Sequence, residues 1–598
     1  MFKVTKRFRL IGTTMLVFLG LSVGGGHQAL ASTNEEMNPI SRVVTSGYDK
    51  KQVLEVGNKP FFYNGIQIRV DKLRDDLNYH FSLNQVAQAY KRAKADGFTV
   101  INSQILWSDI QPDESLKPTD IAYIRSDKPS TDINEAATTI DLSNTDTHKS
   151  LLYLKFNLSQ LQKKALTSGH YDGAKLRIYA KGDANSNITV YGLDRSVQWN
   201  HSLTWEQAAY QQIANDKVTK LTVSPKYDPV KDENYYDFDV TDFVNERKHG
   251  QISLVLQSDA DSQLDIGGGQ SFKSSENAKL NDTPALSVSR KGNYDFTYLD
   301  KIINAARRAN IKLEILWFGT DTTSTSTEHR MPYYVLHDYA KCLKEKGNPD
   351  SVVFSKGDPL SPSGQYNFLM DKNDVDLQKQ EGTVVKALFN HIGNNNKVNG
   401  RTNTVIGAQV ANEPMVARLN GNGFGKAYPQ SEPSLKARAA QSDLSDADFR
   451  SWTMWRYTNN LAASVKNSKY SVLTRVNNAL PSDADLTGWN EKMRAASMTN
   501  LDAVGADPYH LGFAALYDYG HNPVPGVNND KTVATGYARG DNLPMVMEDG
   551  VGTNEKNYSF DDTAPRFITS FAGGATHNYY DFMSGTAIPC TSMKMVNL

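Results

Sequence analysis

Two glutamates stand at the ends of apolar stretches, a pattern that suggests paired carboxylate chemistry. Glu413 lies near the end of the run Thr404–Pro414, directly after Asn412. Glu548 lies near the end of the run Leu543–Gly550. Both runs have the length and β-rich composition of parallel strands buried on both faces. Because proline cannot donate a ladder hydrogen bond, the first strand is expected to stop at its terminal proline. A carboxylate at a buried strand end has to be paired, hydrogen-bonded or used in chemistry.

Each glutamate also has an interpretation that involves no catalysis. Glu413 is compatible with a residue that caps the next helix or joins an ion pair. Glu548 is followed by Asp549-Gly550, so it can be read as a solvated residue at the start of a helix. The elements that surround the two residues have to decide between these interpretations.

Predicted strands and helices alternate around the two glutamates. A strand, a helix over Ser82–Asp96 and a second strand follow in immediate succession, an order that favours a parallel sheet. Strands are predicted at eight places, which begin near Ile66, Thr99, Lys312, Thr404, Tyr470, Leu501, Pro544 and His577. Eight β/α units predict an α/β fold, the (β/α)8 TIM barrel. Glu413 and Glu548 then end the fourth and seventh strands, which face each other across the barrel mouth.

A region with a different pattern of secondary structure separates the second and third predicted strands. Between residues 115 and 290 the chain consists of short strands divided by Gly, Asn, Asp and Pro. Examples are Leu151–Leu158, Lys175–Ala180, Ile188–Leu193, Tyr235–Val240 and Ile252–Gln257. Regular short strands of this kind predict a β-sandwich or jelly roll. Because alternating strands and helices are predicted again after this region, the all-β block is predicted to be a domain inserted in a barrel loop.

The first residues have the features of a secretory signal peptide. Four basic residues between Lys3 and Arg9 precede the apolar stretch Leu10–Val23, and Ala29-Leu30-Ala31 matches a cleavage site. We therefore expect a secreted, extracellular protein that is cleaved near Ala31 and keeps no stable membrane span; an uncleaved anchor is the alternative. The residues from Ser32 to Lys51 are expected to be a loose lead-in.

The predicted organisation has four parts. It consists of a signal peptide (1–31), a first barrel segment (32–114), an inserted β-sandwich (115–290) and the remainder of the barrel (291–598). The last residues, Thr586–Leu598, do not match a recognisable helix, so the completeness of the barrel at its C-terminus stays open.

Composition and motif searches exclude several classes of function. The net charge is −1, so no basic face is indicated and nucleic acid is not an expected partner. Cys342 and Cys590 fit no metal spacing and are expected to be free, although pairing stays open. No zinc-protease, P-loop or nucleophile-elbow motif occurs, and the glycines from Gly421 to Gly425 lack the context of a dinucleotide site. We expect no metal and no cofactor in the active site, and the oligomeric state is not indicated.

Two carboxylates across a barrel mouth are what a retaining glycosidase needs. One carboxyl group protonates the leaving oxygen and later activates water, while the other attacks the anomeric carbon. The two groups lie about 5–5.5 Å apart in such enzymes, and their surroundings push their pKa values in opposite directions. Asn412 is placed to contact a sugar 2-hydroxyl, and Tyr509, after the sixth strand, to hold the nucleophile ionised.

The ordered motifs resemble those of the retaining (β/α)8 glycoside hydrolases that carry Asn-Glu on strand four and Glu on strand seven. Within that clan they look most like the β-galactosidase-like families. The matching pieces are Gly97–Trp107 with Asp109-Ile110-Gln111-Pro112, Tyr294-Asp295-Phe296 with Leu299-Asp300, and Leu316-Trp317-Phe318-Gly319. The resemblance implies that Glu413 is the acid/base, Glu548 the nucleophile and Asn412 the 2-hydroxyl contact.

Further residues are candidates for the rim of the site. Trp107 and Trp317 end the second and third strands, where they either stack on sugar faces or pack in the core. Arg69 is a candidate for lowering the pKa of the nucleophile. Three others, His510, His577 and Tyr580, are candidates for the mouth, with a structural role as the alternative.

The inserted block resembles secreted jelly-roll modules of the DNRLRE type, which are related to a carbohydrate-binding family. The matching pieces are Ala122–Ser126, Tyr153–Leu158, Ala174–Tyr179, Leu203–Trp205, Tyr236–Thr241 and Phe272–Glu276. This resemblance implies glycan binding or a spacer role. Such modules often hold a structural calcium, but Asp259-Ala260-Asp261 is too short a signal to assign one.

These observations together predict a secreted retaining glycoside hydrolase. Its expected substrate is an oligo- or polysaccharide with β-linked sugars, with β-galactosides or related host or plant glycans as the leading expectation. The alternative is a non-catalytic glycan-binding or cell-surface protein that uses the barrel as a scaffold.

Overall fold

The structure is a computed structural model. It describes residues 39–48, 51–68, 83–131, 140–161, 170–180, 187–208, 221–223, 226–228, 233–259, 262–264, 284–320, 331–336, 344–345, 348–352, 354–356, 366–368, 370–414, 432–478, 499–507, 514, 517, 543–549 and 563–580. Across these residues no helix combines the length and the apolar character that crossing a membrane requires.

Eight parallel strands close into a barrel. Strands 1 to 8 are Asn64–Ile68, Val100–Leu106, Lys312–Phe318, Val405–Gln409, Leu473–Asn478, Ala503–Ala506, Met545–Asp549 and Thr576–Tyr580. Each strand pairs with the next in this order, and strand 8 returns to pair with strand 1 through His577 opposite Asn64. All eight predicted strands are therefore present, and the sequence prediction of an eight-stranded α/β barrel is confirmed at that level.

Helices follow most of these strands. The longer helices are Leu83–Ala95, Thr297–Ala309, Val375–Val398, Glu432–Ala440, Asp446–Lys466 and Thr563–Gly573, and shorter ones are Trp107–Ile110 and Tyr333–Leu336. Local capping sets several of their ends. Asp374 accepts a hydrogen bond from the Leu377 N–H at 2.9 Å, and Asn310 ends its helix in the left-handed conformation, at φ 53°. The sequence also predicts a helix at Leu486–Met498, which lies outside the described residues.

Alternate residues of each strand point either into the barrel or toward the helices around it. In strand 3, Leu313 and Ile315 join the apolar core that the helices share, so Glu314 between them points inward. Glu314 is fully buried, and both of its carboxylate oxygens accept hydrogen bonds from Arg475 of strand 5. The Tyr63 hydroxyl also donates to Glu314. The barrel interior therefore contains a buried ion pair.

Replacing Glu314 with alanine is expected to destabilise the protein by about 3–5 kcal/mol, because the Arg475 guanidinium would stay buried without its carboxylate. The measurement is the free energy of unfolding from urea denaturation. Arg42→Ala is the control, since the ion pair that Arg42 forms with Glu55 has side chains 45% and 19% exposed. Pairs near the surface contribute at most about 1 kcal/mol, so equal losses in the two variants would contradict a stabilising role for the buried pair.

A small antiparallel sheet covers the end of the barrel where the strands begin. Its strands are Ser41–Thr45, Gln52–Val56 and Lys59–Pro60. Leu54 packs against Val100 and Leu473, which start strands 2 and 5, and the Leu473 N–H donates to the Ser41 hydroxyl at 2.8 Å. The expectation of a loose lead-in up to Lys51 is therefore wrong for Ser41–Thr45. This stretch is ordered by a pairing partner that follows it in sequence, which its own polar composition does not reveal.

Two five-stranded antiparallel sheets occupy the sequence between barrel strands 2 and 3. One contains, in spatial order, Lys226–Asp228, Glu233–Asp239, Gly173–Ala180, Ala285–Ser289 and Glu114–Leu116, and the other contains Leu221–Val223, Ile188–Gly192, Gln251–Ser258, Ser150–Asn157 and Asp120–Arg125. Leu176 and Phe238 of the first sheet share an apolar core with Leu154 and Leu254 of the second. The sheets thus pack face to face as a sandwich. The predicted domain boundaries stay a prediction.

Smaller elements complete the described chain. They are the paired strands Ile140–Leu142 and Ser262–Leu264, the hairpins Lys344–Glu345 with Asn348–Val352 and Phe354–Lys356 with Tyr366–Phe368, the helix Thr241–Arg247 and the 3-10 turn Leu158–Gln160.

The sandwich contacts the barrel around the helix Tyr333–Leu336. The Tyr333 N–H donates to both oxygens of Asp113 at 3.2 Å, and the Lys175 ammonium lies 4.9 Å from the centre of the Tyr333 ring. The Tyr334 hydroxyl donates to Gln111 at 2.8 Å. Burial raises the pKa of Asp113 to about 6. These contacts join the sandwich to residues on both sides of it in sequence.

Candidate active site

A bulge in strand 7 turns Glu548 into the barrel. Val546 pairs with His577 and Asp549 with Tyr579, so two residues of strand 7 lie opposite the single residue Asn578 of strand 8. Without the extra residue, Glu548 would share the outward direction of Val546. With it, Glu548 points inward and Asp549 faces the surrounding helix, where it accepts from Arg566 at 2.8 Å. Bulges commonly redirect side chains beside active sites.

Glu413 is held in a strained backbone conformation just beyond strand 4. The strand ends at Gln409, so the sequence expectation that it runs to Pro414 is corrected. Glu413 has φ 42°, a left-handed value that is costly for a non-glycine residue. Its N–H donates to the Asn477 side-chain oxygen at 2.7 Å. This bond to strand 5 stabilises the turn that brings the Glu413 side chain to the barrel mouth.

Three carboxyl groups meet at this point. Glu413, Glu548 and Asp507 each place one oxygen within 4.8 Å of an oxygen of the other two. Asp507 follows strand 6 directly and is 3% exposed, and Glu548 is 5% exposed. Burial is the largest cause that raises the pKa of Asp507 well above its usual range, and the charges of Glu548 and Glu413 raise it further. The two predicted glutamates are therefore close together, with a third acid beside them.

Asn477, at the inward face of strand 5, connects the parts of the site. Its side-chain oxygen accepts from the Glu413 N–H and from Gln409 at 2.9 Å. Its side-chain nitrogen donates to Asp507 Oδ2 at 2.9 Å and to Asn412 Oδ1 at 3.4 Å. All four contacts use the amide in one orientation, so Asn477 fixes the positions of the neighbouring groups.

Gln67 of strand 1 contacts the second glutamate. Its side-chain nitrogen donates to Glu548 Oε1 at 3.1 Å. A neutral donor favours the ionised form of a carboxylate without adding a charge. This contact lies two residues before Arg69, to which the sequence prediction gave a similar role.

The two tryptophans lie in the core. Trp107 is fully buried, donates to Gln111 at 2.6 Å and lies 6.5 Å from the Trp317 ring. Trp317 is 3% exposed and donates to Glu381 of the helix Val375–Val398 at 2.9 Å. Both belong to the apolar core between strands and helices. Their placement favours the core-packing alternative over stacking on sugars.

His577 also points away from the barrel mouth. It is 1% exposed, lies 3.2 Å from Asp549 Oδ2 and packs on the Phe567 ring at 3.8 Å. Burial lowers the pKa of His577. This position between strand 8 and a helix fits the structural alternative for His577.

Several sequence candidates fall outside the described residues. They are Arg69, Tyr509, His510, the glycines from Gly421 to Gly425, Asp261, both cysteines and the C-terminal residues; the side chain of Tyr580 belongs with them. Asp259 is described, and both of its carboxylate oxygens accept from Asn187 at 2.8 Å. No calcium is assigned to the sandwich.

Three residues of the site were absent from the sequence prediction: Gln67, Asn477 and Asp507. Each is polar and lies at or near the carboxyl end of a predicted barrel strand, at a position with the inward direction. Counting inward positions in steps of two from the apolar interior residues Leu473 and Ala503 leads to Asn477 and Asp507. The alternation points to these residues only once the interior position of Leu473 and Ala503 is known, and the tertiary structure shows that position.

The chemical capacity of the site follows from these contacts. Within the described residues, the three carboxyl groups are the only cluster with metal-ligand spacing. Acidic groups of this kind are common without an ion, and we assign none. Two carboxyl groups at this separation can act as an acid/base and a nucleophile, and the amide of Asn412 lies beside them.

Comparisons with known proteins concern mainly the sandwich. Residues 112–290 match the model of carbohydrate-binding module family 96. This match covers less than half of the chain, so it shows a similarity of the sandwich region alone. No curated protein sequence matches the chain.

The solved structures that match the chain include a β-galactosidase and a mannanase. A β-galactosidase from the haloarchaeon Halorubrum lacusprofundi is 14% identical, with a TM-score of 0.32, over 49% of this chain and 46% of that one. An endo-1,4-β-mannanase from Rhizomucor miehei is 9% identical, with a TM-score of 0.37, over 93% of this chain and 100% of that one. This chain thus spans less than half the length of the haloarchaeal enzyme, and likeness at this level carries no inference about activity.

Proposed function

We propose that the protein is a secreted retaining glycoside hydrolase that cleaves β-linked glycans, with β-galactosides as the leading substrate class. The observation that carries this proposal is the separation of the Glu413 and Glu548 carboxyl groups, which approach within 4.8 Å. Retaining enzymes need about 5–5.5 Å, whereas inverting enzymes need about 6.5–9.5 Å to admit a water molecule. The separation therefore favours double displacement.

In the first step, Glu548 attacks the anomeric carbon while the glycosidic C–O bond breaks and the Glu413 proton passes to the leaving oxygen. In the second step, water attacks the same carbon, its proton passes to Glu413 and the ester bond to Glu548 breaks. Gln67 supports the ionised form of Glu548, and Asn412 is assigned to the sugar 2-hydroxyl.

The sandwich supports a polymeric or clustered glycan as the target. Its match to a carbohydrate-binding module family suggests that it holds the enzyme on a glycan surface, which raises the effective substrate concentration at the barrel mouth. We propose that the module is inserted after strand 2, in the interval 115–290.

The test is hydrolysis of a panel of aryl β-glycosides by the mature chain, with the galactoside, glucoside, mannoside and xyloside included. A variant with both Glu413 and Glu548 replaced by alanine, purified in the same way, controls for contaminating enzymes. We expect release of the aryl group from at least one substrate, and proton NMR of the first sugar product should show the β-anomer.

Other outcomes separate the alternatives. An α-anomer as the first product would show inversion and contradict the assignment of Glu548 as nucleophile. If the panel and a set of polysaccharides are left intact while the full chain binds glycans, the protein is the non-catalytic glycan-binding alternative.

A further inference from the structure

Asp507 has a position that the two-glutamate mechanism does not explain. It is buried among two other carboxyl groups, and its Oδ1 atom receives no hydrogen bond in the described part of the chain. Its Oδ2 atom accepts from Asn477 at 2.9 Å. A buried carboxylate oxygen without a donor is costly, and three ionised carboxylates at this separation would repel one another strongly. Some of these groups must therefore carry protons.

The hydrogen bonds indicate which oxygen of Asp507 holds a proton. The Asn477 side-chain oxygen accepts two N–H groups, one from Glu413 and one from Gln409. The Asn477 nitrogen must then face Asp507 Oδ2, which makes Oδ2 an acceptor. A proton on Asp507 is consequently located at Oδ1, and an oxygen of the Asp507 carboxyl group lies within 4.8 Å of an oxygen of Glu413.

The charges around Asp507 agree with a neutral side chain. Glu413 faces it from the turn after strand 4 and Glu548 from strand 7, and both raise the pKa of Asp507. Arg475 faces it from strand 5, but the guanidinium already donates to Glu314. The Arg475 guanidinium is thus already engaged with another acid.

We propose that Asp507 is a positioning residue that stays protonated through the catalytic cycle and donates its O–H to the Glu413 carboxylate. This inference rests on the proposed hydrolase function and assigns a third group to the same site. When Glu413 has given its proton to the leaving oxygen, the Asp507 proton remains on Oδ1 and stabilises the new negative charge. Glu548 is then esterified and neutral, so the three-carboxyl cluster carries one negative charge before and after the step.

The kinetic test compares Asp507→Asn with Asp507→Ala. Asn keeps a neutral hydrogen-bond donor, whereas Ala removes it. We expect Asp507→Ala to lower kcat/KM by about 10²-fold and to move the basic limb of the pH profile upward, because the Glu413 carboxylate loses its donor. The kcat/KM of Asp507→Asn should be about tenfold higher than that of Asp507→Ala, and the basic limb of its pH profile should lie near that of the wild type. Equal losses in both variants with an unchanged pH profile would overturn the proposal.

Thermal unfolding tests the protonation without any need for activity. A carboxyl group whose pKa is raised in the folded state costs stability as pH rises above its unfolded pKa, about 3.9. Asp507→Asn lacks this cost, so its melting temperature relative to the wild type should rise between pH 4 and pH 7. A relative melting temperature that falls over this interval would show an ionised Asp507 and overturn the proposal.

A cation is the remaining way to accommodate three acids, and it gives a distinct result. Melting temperatures of the wild type are measured with Ca²⁺ or Mn²⁺ and with EDTA. If the cation raises the melting temperature of the wild type but not that of Asp507→Asn, the proton assignment is overturned. Equal melting temperatures of the wild type with the cation and with EDTA support the assignment. If the panel of glycosides shows no hydrolysis but the pH-dependent difference appears, the hydrolase function fails while the neutral state of Asp507 stands.

Discussion

Glu548→Ala is expected to abolish turnover of an aryl β-glycoside, with kcat/KM falling by about 10⁴-fold or more. The substitution removes the atom that forms the bond to the anomeric carbon, so the glycosyl-enzyme intermediate cannot arise. The measurement is the steady-state rate of aryl release for a substrate that the wild type cleaves. Azide should restore turnover, since it can enter the vacated space and attack from the same face. Its product is expected to be a glycosyl azide of inverted configuration.

The neighbouring residue supplies a matched control for Glu548. Asp549 is also a buried acid of strand 7, but the bulge directs it to Arg566 and away from the barrel. Asp549→Asn should therefore affect stability more than the rate per folded molecule, and azide should have no effect on it. Loss of activity in Asp549→Asn with full activity in Glu548→Ala would exclude Glu548 as nucleophile.

Glu413→Ala is expected to lower the rate by an amount that depends on the leaving group. For a substrate with a poor leaving group, kcat/KM should fall by about 10²- to 10⁴-fold, because the departing oxygen receives no proton. For a dinitrophenyl glycoside, whose leaving group needs no protonation, the first step should be nearly preserved. The variant should also lose the basic limb of the pH profile, which reports deprotonation of the acid.

The dependence on the leaving group is an internal control for the Glu413 variant. A general structural defect would reduce the rates of both substrates by the same factor. Equal losses for the two leaving groups would therefore contradict an acid/base role for Glu413. Far-UV circular dichroism checks that the Glu413→Ala variant remains folded, because the substitution changes a residue of the strained turn at φ 42°.

Local sequence was enough to predict the number and order of the barrel strands and the presence of a β-sandwich between two of them. These features depend on local composition, since apolar runs and turn residues mark strands whatever their partners are. The same information placed Glu413 and Glu548 on the fourth and seventh strands. It predicted their proximity, because the ends of parallel barrel strands meet at one mouth.

The directions in which side chains point depend on contacts between strands that are distant in sequence. A regular strand would have directed Glu548 outward with Val546, and the bulge that reverses it is defined by pairing with strand 8. Trp107 directly follows strand 2 and Trp317 is the last residue but one of strand 3, and both lie in the core between strands and helices. A shift of one residue in the pairing register moves every side chain of a strand to its other face, and local sequence does not specify the register.

The third carboxyl group shows the same limit for the active site. Asp507 follows an unremarkable strand, and nothing in its local sequence suggests an acid beside two glutamates. Its role emerges from three strands that are distant in sequence, which bring Asp507, Asn477 and Glu413 into one hydrogen-bonded group. Sequence determined which residues have acidic side chains; closure of the barrel decided that three of them must share one buried space, where repulsion and desolvation control their protons.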